Sequence, residues 1–406
     1  MPAVATRIGP TNAASTLGLQ QTDVIQSSSR VNVLASSAPE TMGAAPVGMM
    51  NHPASASVFA SPSQPVKNPR TRRARCLARL REPLAPEDSF HRQDMTSDAP
   101  SSAIARDSRV IACLLRSNAP FMVGRPSLGP EAIVAHGSLL RERIGTGYHR
   151  ELKRVAGVNA PTEASASDFG AAYLQALNHS DLMVRWNHDS PKWKTKRGTH
   201  PTLVKHDAIF TATTHLPGRC INNEVLEPFL VWLATGSSWT SELVGKTVLV
   251  VSAFAETIGA QLQRNASEIW GESMGADAAM MLPLGVIWKT LRPPMNIAGG
   301  NETQGDWQAD LASLIARVDA AGPFDVALLS CGGLGMLLSL HLRRTRRSSI
   351  YVGGPLQLHF GVRGKRWDNM PEYRRAQRGV NWVRPSASLR PKNFAKDKDA
   401  QHFFRL

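Results

Sequence analysis

Two glycine pairs constrain this chain more than any other feature. Gly332-Gly333 and Gly353-Gly354 each close a short apolar run, and a helical segment lies between them. Residues 325–330 form an apolar stretch of strand length, broken by Cys331 and the first pair. From 334 to 343 the apolar residues take helical spacing, and the basic residues gather at the C-terminal end, where the helix dipole favours them. Residues 349–352 form the next strand, ended by the second pair. Gly361-Val362-Arg363-Gly364-Lys365-Arg366-Trp367 follows. In an open parallel sheet, ligands sit beyond the carboxyl ends of the strands, at such turns. Two turns close together, followed by guanidinium and ammonium groups, make a cradle for an anionic ligand such as a diphosphate.

Two other readings of the stretch fail on physical grounds. A membrane helix over 326–342 would need about 20 apolar residues. This run is shorter, holds a glycine pair and has His341 near its end. A dinucleotide fingerprint needs GxGxxG spacing and an acid on the following strand. Neither is present.

The rest of the chain supplies partners for this unit. Strands are expected over 120–123, 181–186, 207–212, 247–252 and 282–291. Helices are expected over 109–116, from Pro130, around Phe169 and Tyr173, over 223–233, from about 254 through Trp270, and from Trp307 to Val318. The run 247–252 is β-branched, as in a buried parallel strand. Trp307, Leu311, Leu314, Ile315 and Val318 recur with period 3.6. Repeated alternation from residue 120 onward predicts an α/β fold with a mostly parallel, Rossmann-like sheet and flanking helices.

Composition sets the outer limits. The chain has 406 residues and a formal net charge of +15, which favours anionic partners: nucleotide sugars, nucleic acid or acidic lipid surfaces. Its four cysteines are scattered with no CxxC pair, so neither a disulfide framework nor a zinc site is expected, and a reducing, intracellular compartment fits. Residues 1–102 lack apolar periodicity and read as a disordered extension. The first 35 residues are rich in Ser and poor in acids, a composition that suits either organellar targeting or an ordinary tail. Residues 67–81 form a basic run, either a nucleic-acid contact or a solvated linker. No aromatic residue interleaves there for base stacking, so nucleic acid is the less favoured partner. The folded domain is expected over 103–390, followed by a basic tail over 391–406.

Several residues stand where chemistry is expected. After the strand at 120–123, Arg125 and Glu131 flank a turn into a helix with Pro130 at its first position. A strand, turn and helix with Arg and Glu at the turn is a place for a nucleotide. Glu131 either faces that ligand or only favours the helix N-terminus. Ser252 and Glu256 lie at a strand end and helix start, facing a ligand or capping the helix. His188 and Asp189 are a candidate catalytic pair within a loop rich in His, Lys and Trp; the alternative is a polar surface loop.

The motifs also resemble a known family. Gly332, Gly333, Gly335, Gly353, Gly354, Gln357, Phe360, Gly361, Gly364, Lys365, Arg366 and Trp367 match the GGxG and GGxxQxxFGxxGKRW pattern of GT-D-type bacterial glycosyltransferases of polysaccharide clusters. The run 245–258, GKTVLVVSAFAETI, and the segment 381–386, NWVRPS, resemble two further family signatures. The resemblance spans about residues 120–390. It implies transfer of a sugar from a nucleotide-sugar donor to a carbohydrate or glycoconjugate acceptor. Arg125, Gln357, Arg363, Lys365 and Arg366 would bind the donor, and Gly332, Gly333, Gly353 and Gly354 would permit close approach of the backbone. The family's turn carries an acidic pair spaced DxE, associated with Mn2+ or Mg2+. Here Gly129 stands in place of the first acid and one extra residue separates Arg125 from Glu131. The resemblance thus leaves Glu131 as the one carboxylate of the expected metal set and a candidate for metal binding or for catalysis on the acceptor. Two other functions remain open: a non-catalytic nucleotide-binding or scaffold protein of the same fold, and a basic nucleic-acid-binding protein.

Overall fold

A computed structural model describes residues 101–142, 147–186, 220–297 and 305–391, with short pieces at 25–26, 194–195, 198–199, 205 and 208–209. Seven strands form one all-parallel sheet: β1 (Met122–Gly124), β2 (Leu182–Arg185), β3 (Cys220–Asn222), β4 (Thr247–Ser252), β5 (Ile287–Leu291), β6 (Val326–Ser330) and β7 (Ser348–Tyr351), in the order β5-β4-β6-β7-β1-β2-β3. Ile25–Gln26 adds an antiparallel pair at the β5 edge, Ile25 opposite Thr290.

Alternation along each strand divides the core in two. Val248, Val250, Val326, Leu328, Ile350 and Val123 feed one apolar cluster. Their neighbours Leu249, Val251, Ala327, Leu329, Tyr351 and Met122 feed the other. Successive strand residues point to opposite faces, and a parallel sheet covered on both sides buries both sets. The first face is covered by α1 (Ser101–Ser117), α4 (Pro228–Thr235), α5 (Ala255–Gln261), α6 (Ala266–Met274) and the C-terminal segment. The second carries α2 (Pro130–Leu140), α3 (Glu163–Asn178), α7 (Trp307–Ala320) and α8 (Leu334–Arg344).

Several boundaries differ from the sequence reading, each for a local reason. Ala208 and Ile209 are helical and so correct the expected strand at those two positions; the rest of 207–212 lies outside the described residues, and the strand beside β2 is β3 at 220–222. The expected helix from 254 through Trp270 is two helices. Asn265 builds a capping box with Glu268 and starts α6 afresh. The helix over 223–233 is divided by Pro228, which opens α4 after a 3-10 turn at Asn223–Leu226. The fifth strand begins only at Ile287, because Pro283 cannot donate to a ladder and Gly285 has φ +80°. Cys113 is disulfide-bonded, where the scattered cysteines predict no disulfide. The expected disorder of residues 1–102 lies outside the described residues, except for the pair at 25–26 and the start of α1 at Ser101. The tail over 391–406 lies outside them beyond Pro391. No helix among the described residues is long and apolar enough to cross a membrane.

Candidate active site

The chain direction puts one crevice at a switch point. β4 connects outward to β5, while its other neighbour β6 connects the opposite way to β7. Their last residues pair, Ser252 with Ser330. Within β4–β7 the order is that of a doubly wound sheet, in which ligands lodge at such a reversal, beyond the carboxyl ends. A cavity of about 160 Å³ opens there. Its wall comprises Arg125 after β1, Ala253 and Phe254 after β4, residues 293–297 after β5, residues 330–332 after β6, Tyr351, Gly353 and Gly354 at β7, and residues 155–157.

Arg125 is the cation of this wall. Its Nε donates to Asn223 Oδ1 at 3.0 Å, and its guanidinium lies over the Trp186 ring, 4.5 Å from the centroid. Trp186 is fixed in turn by its indole N–H donating to Pro126 O at 2.9 Å. No carboxylate among the described residues lies within ion-pair distance of Arg125. Glu227 acts on it from further away, with its Oε2 accepting from Tyr373 Oη at 2.8 Å. Burial pulls the Arg125 guanidinium below its usual range, Tyr351 and Glu227 oppose that, and Arg366 adds to it. Burial likewise lifts the Glu227 carboxyl above the usual carboxylate range. The result is a guanidinium locked in orientation with donors to spare, the arrangement suited to a phosphoryl oxyanion.

The glycine pairs serve the same wall. Gly353 has φ +74°, and a Cβ there would stand 2.6 Å from Arg125 Nη1. Gly332 has φ +59°, and a Cβ would stand 2.4 Å from Ala156 O; the next residue, Gly333, donates its N–H to that oxygen at 2.8 Å. The close approach that the first pair permits is thus to the 155–157 wall. The turn opens α8, whose N-terminus faces the cavity through Gly332 and Leu334 and adds its positive dipole end. Tyr351 Oη donates to Gly332 O at 2.7 Å and fixes the two turns to each other.

Other sequence candidates are placed elsewhere. Ser252 is buried, and its Oγ accepts from the Phe254 N–H at 3.2 Å, closing a turn ahead of α5 rather than capping it; Glu256 is exposed on the first turn of α5. Neither lines the cavity. Gln357 is buried and donates to Val362 O at 3.2 Å, holding the turn beneath Gly364. Arg363, Lys365 and Arg366 do not line the cavity either. Their loop packs on the C-terminal segment: Trp367 enters the core, and Arg366 stacks over its ring at 5.6 Å. His188 and Asp189 lie outside the described residues, as does the basic run at 67–81.

Glu131 does not suit a divalent cation. Its side chain is 5% exposed, its Oε2 accepts from Ser127 Oγ at 2.9 Å, and burial lifts its carboxyl above the usual range. No group of three or more His, Cys, Asp or Glu that could hold a metal occurs among the described residues. A Cβ at Gly129 would fall 2.8 Å from Glu131 Oε2, so an acid there would require the Glu131 carboxyl to turn aside.

Trp186 and Asn223 escaped the sequence reading as site residues. The usable signal was position: β1, β2 and β3 are parallel neighbours, and Arg125, Trp186 and Asn223 are each the first residue beyond one of them. Compared with known proteins, the chain matches no family model, no curated protein and no solved structure.

Proposed function

We propose that the switch-point cavity binds the diphosphate of a nucleotide sugar and that the protein is a glycosyltransferase acting on a carbohydrate or glycoconjugate acceptor. The observation that carries this reading is Arg125, oriented by Trp186 and Asn223 and unpaired with any described carboxylate, beside the N-terminus of α8. A departing diphosphate gains negative charge as the glycosyl bond breaks, and a fixed cation beside the positive end of a helix dipole stabilises that charge without reorganising. The sequence motifs that resemble GT-D-type glycosyltransferases supply the reaction class. The acceptor hydroxyl needs a base. His188 and Asp189 remain the candidates, since Glu131 is buried and does not line the cavity.

A second reading, a non-catalytic nucleotide-binding protein, draws on a specific observation: the cavity wall contains no Asp, Glu or His among the described residues. Calorimetry with uridine and guanosine diphosphates, paired with release of nucleotide from sugar donors, separates the two. Binding weakened by Arg125→Gln together with donor turnover supports the transferase. Binding without turnover for any donor and acceptor tried supports the second reading. Wild-type affinity in Arg125→Gln places the ligand elsewhere.

A further inference from the structure

The C-terminal segment carries a second cationic site, apart from the cavity wall. Val362 and Val383 form a parallel bridge. Arg363 N–H donates to Val383 O at 2.7 Å and Val383 N–H to Gly361 O at 3.0 Å. Both valines pack on the core. Side chains alternate along extended backbone, so the next residue on each side, Arg363 and Arg384, turns the other way. The register therefore sets two guanidinium groups side by side, a placement that is unfavourable for like charges.

One carboxylate answers them. Arg384 Nη2 donates to both oxygens of Asp368, each at 2.8 Å. Arg363 has no ion pair and no side-chain hydrogen bond among the described residues. Its Nε and the Nη1 of Arg384 are covered from solvent without a partner. Burial lowers the pKa of Arg363, the neighbouring Arg384 lowers it further, and Asp368 opposes them. Two guanidiniums against one carboxylate leave a net positive charge and unused donors, which is costly unless an anion completes the set.

We infer that Arg363 and Arg384 form a binding site for a tetrahedral oxyanion, a phosphoryl or sulfuryl group. Two forks can engage three or more oxygens, which such a group offers and a carboxylate does not. The group arrives either as a free anion or on a larger carbohydrate. The site does not depend on the nucleotide reading of the cavity.

The test is thermal unfolding of the full chain in phosphate and in sulfate against chloride of equal ionic strength, all in an Arg125→Gln background that removes the cavity's own phosphate contact, with Arg363→Gln or Arg363→Lys added to it. Wild type should gain melting temperature in phosphate over chloride. In chloride, adding Arg363→Gln to that background should leave the melting temperature equal or higher, because a like-charge contact is relieved, and the phosphate response should vanish. Arg363→Lys keeps the charge but loses the fork, so its half-saturating phosphate should rise roughly tenfold or more. Arg125→Gln alone should keep a phosphate response, reduced only by whatever phosphate the cavity itself held. Glucose 6-phosphate against glucose then identifies the source: tighter binding than inorganic phosphate marks a group carried on sugar, and equal binding marks a free anion. An equal phosphate response with and without Arg363→Gln in that background, or no response beyond chloride, would overturn the inference.

Discussion

Replacing Gly353 by alanine tests the link between backbone conformation and ligand binding. Two costs should appear. The first is conformational: at φ +74° an L side chain is disfavoured by about 1–2 kcal/mol. For a domain of this size that lowers the melting temperature by roughly 2–4 °C. The second is steric. The new Cβ would stand 2.6 Å from Arg125 Nη1. The guanidinium cannot yield without loosening its hydrogen bond to Asn223 and its stack on Trp186. Losing one charge-assisted contact of about 1.5–3 kcal/mol weakens nucleotide binding roughly ten- to a hundredfold. Gly236→Ala is the control. Gly236 has φ +68° at the end of α4, and nothing lies within 4 Å of its added Cβ. It should lower the melting temperature comparably and leave nucleotide affinity alone. Calorimetry with uridine diphosphate and differential scanning calorimetry measure both effects. Wild-type nucleotide affinity in a folded Gly353→Ala protein would refute the claim that Gly353 holds Arg125 in a binding geometry.

Two further outcomes follow from buried groups. His359 is 3% exposed, neither ring nitrogen has a partner, and burial pushes its pKa down to about 3 from an ordinary 6.5. Its folded pKa lies below its unfolded one, so the unfolded chain takes the proton first and stability falls as pH drops from about 6.5 towards 3. The loss reaches at most about 5 kcal/mol, and His359→Phe should flatten that part of a denaturant-midpoint profile against pH. Cys331 is buried with its thiol pushed up to about 12, whereas Cys220 is half-buried. Alkylation at pH 7.5, mapped by mass spectrometry, should therefore label Cys220 at least about tenfold faster than Cys331 until the protein unfolds. Equal rates would mean that the first glycine turn opens in solution.

The parts of the fold legible in the sequence are those specified by near neighbours. The β-branched run at 247–252, the period-3.6 stripe of α7 and the strand–Gly-Gly–helix unit from 326 each carry their conformation locally, and each forms at nearly the expected bounds. Pro130 opens α2 for the same reason, its fixed φ and missing N–H both suiting the first helical position. Where two local signals competed, the breaker won, as at Pro228 and at the Asn265 cap. The site was legible only in part. Arg125 and the two glycine pairs could be picked out because turns after parallel strands are where ligands bind. Which cations face the cavity could not, because side-chain direction depends on what the loop packs against. Trp367 enters the core and carries the 361–367 loop with it, so Arg363 meets Arg384 and Asp368 rather than the switch point. Strand order alone places Arg125, Trp186 and Asn223 together, from positions up to 98 residues apart in the chain. Sequence spacing carries no record of which strands become neighbours; that is decided by which two apolar faces the helices can cover at once.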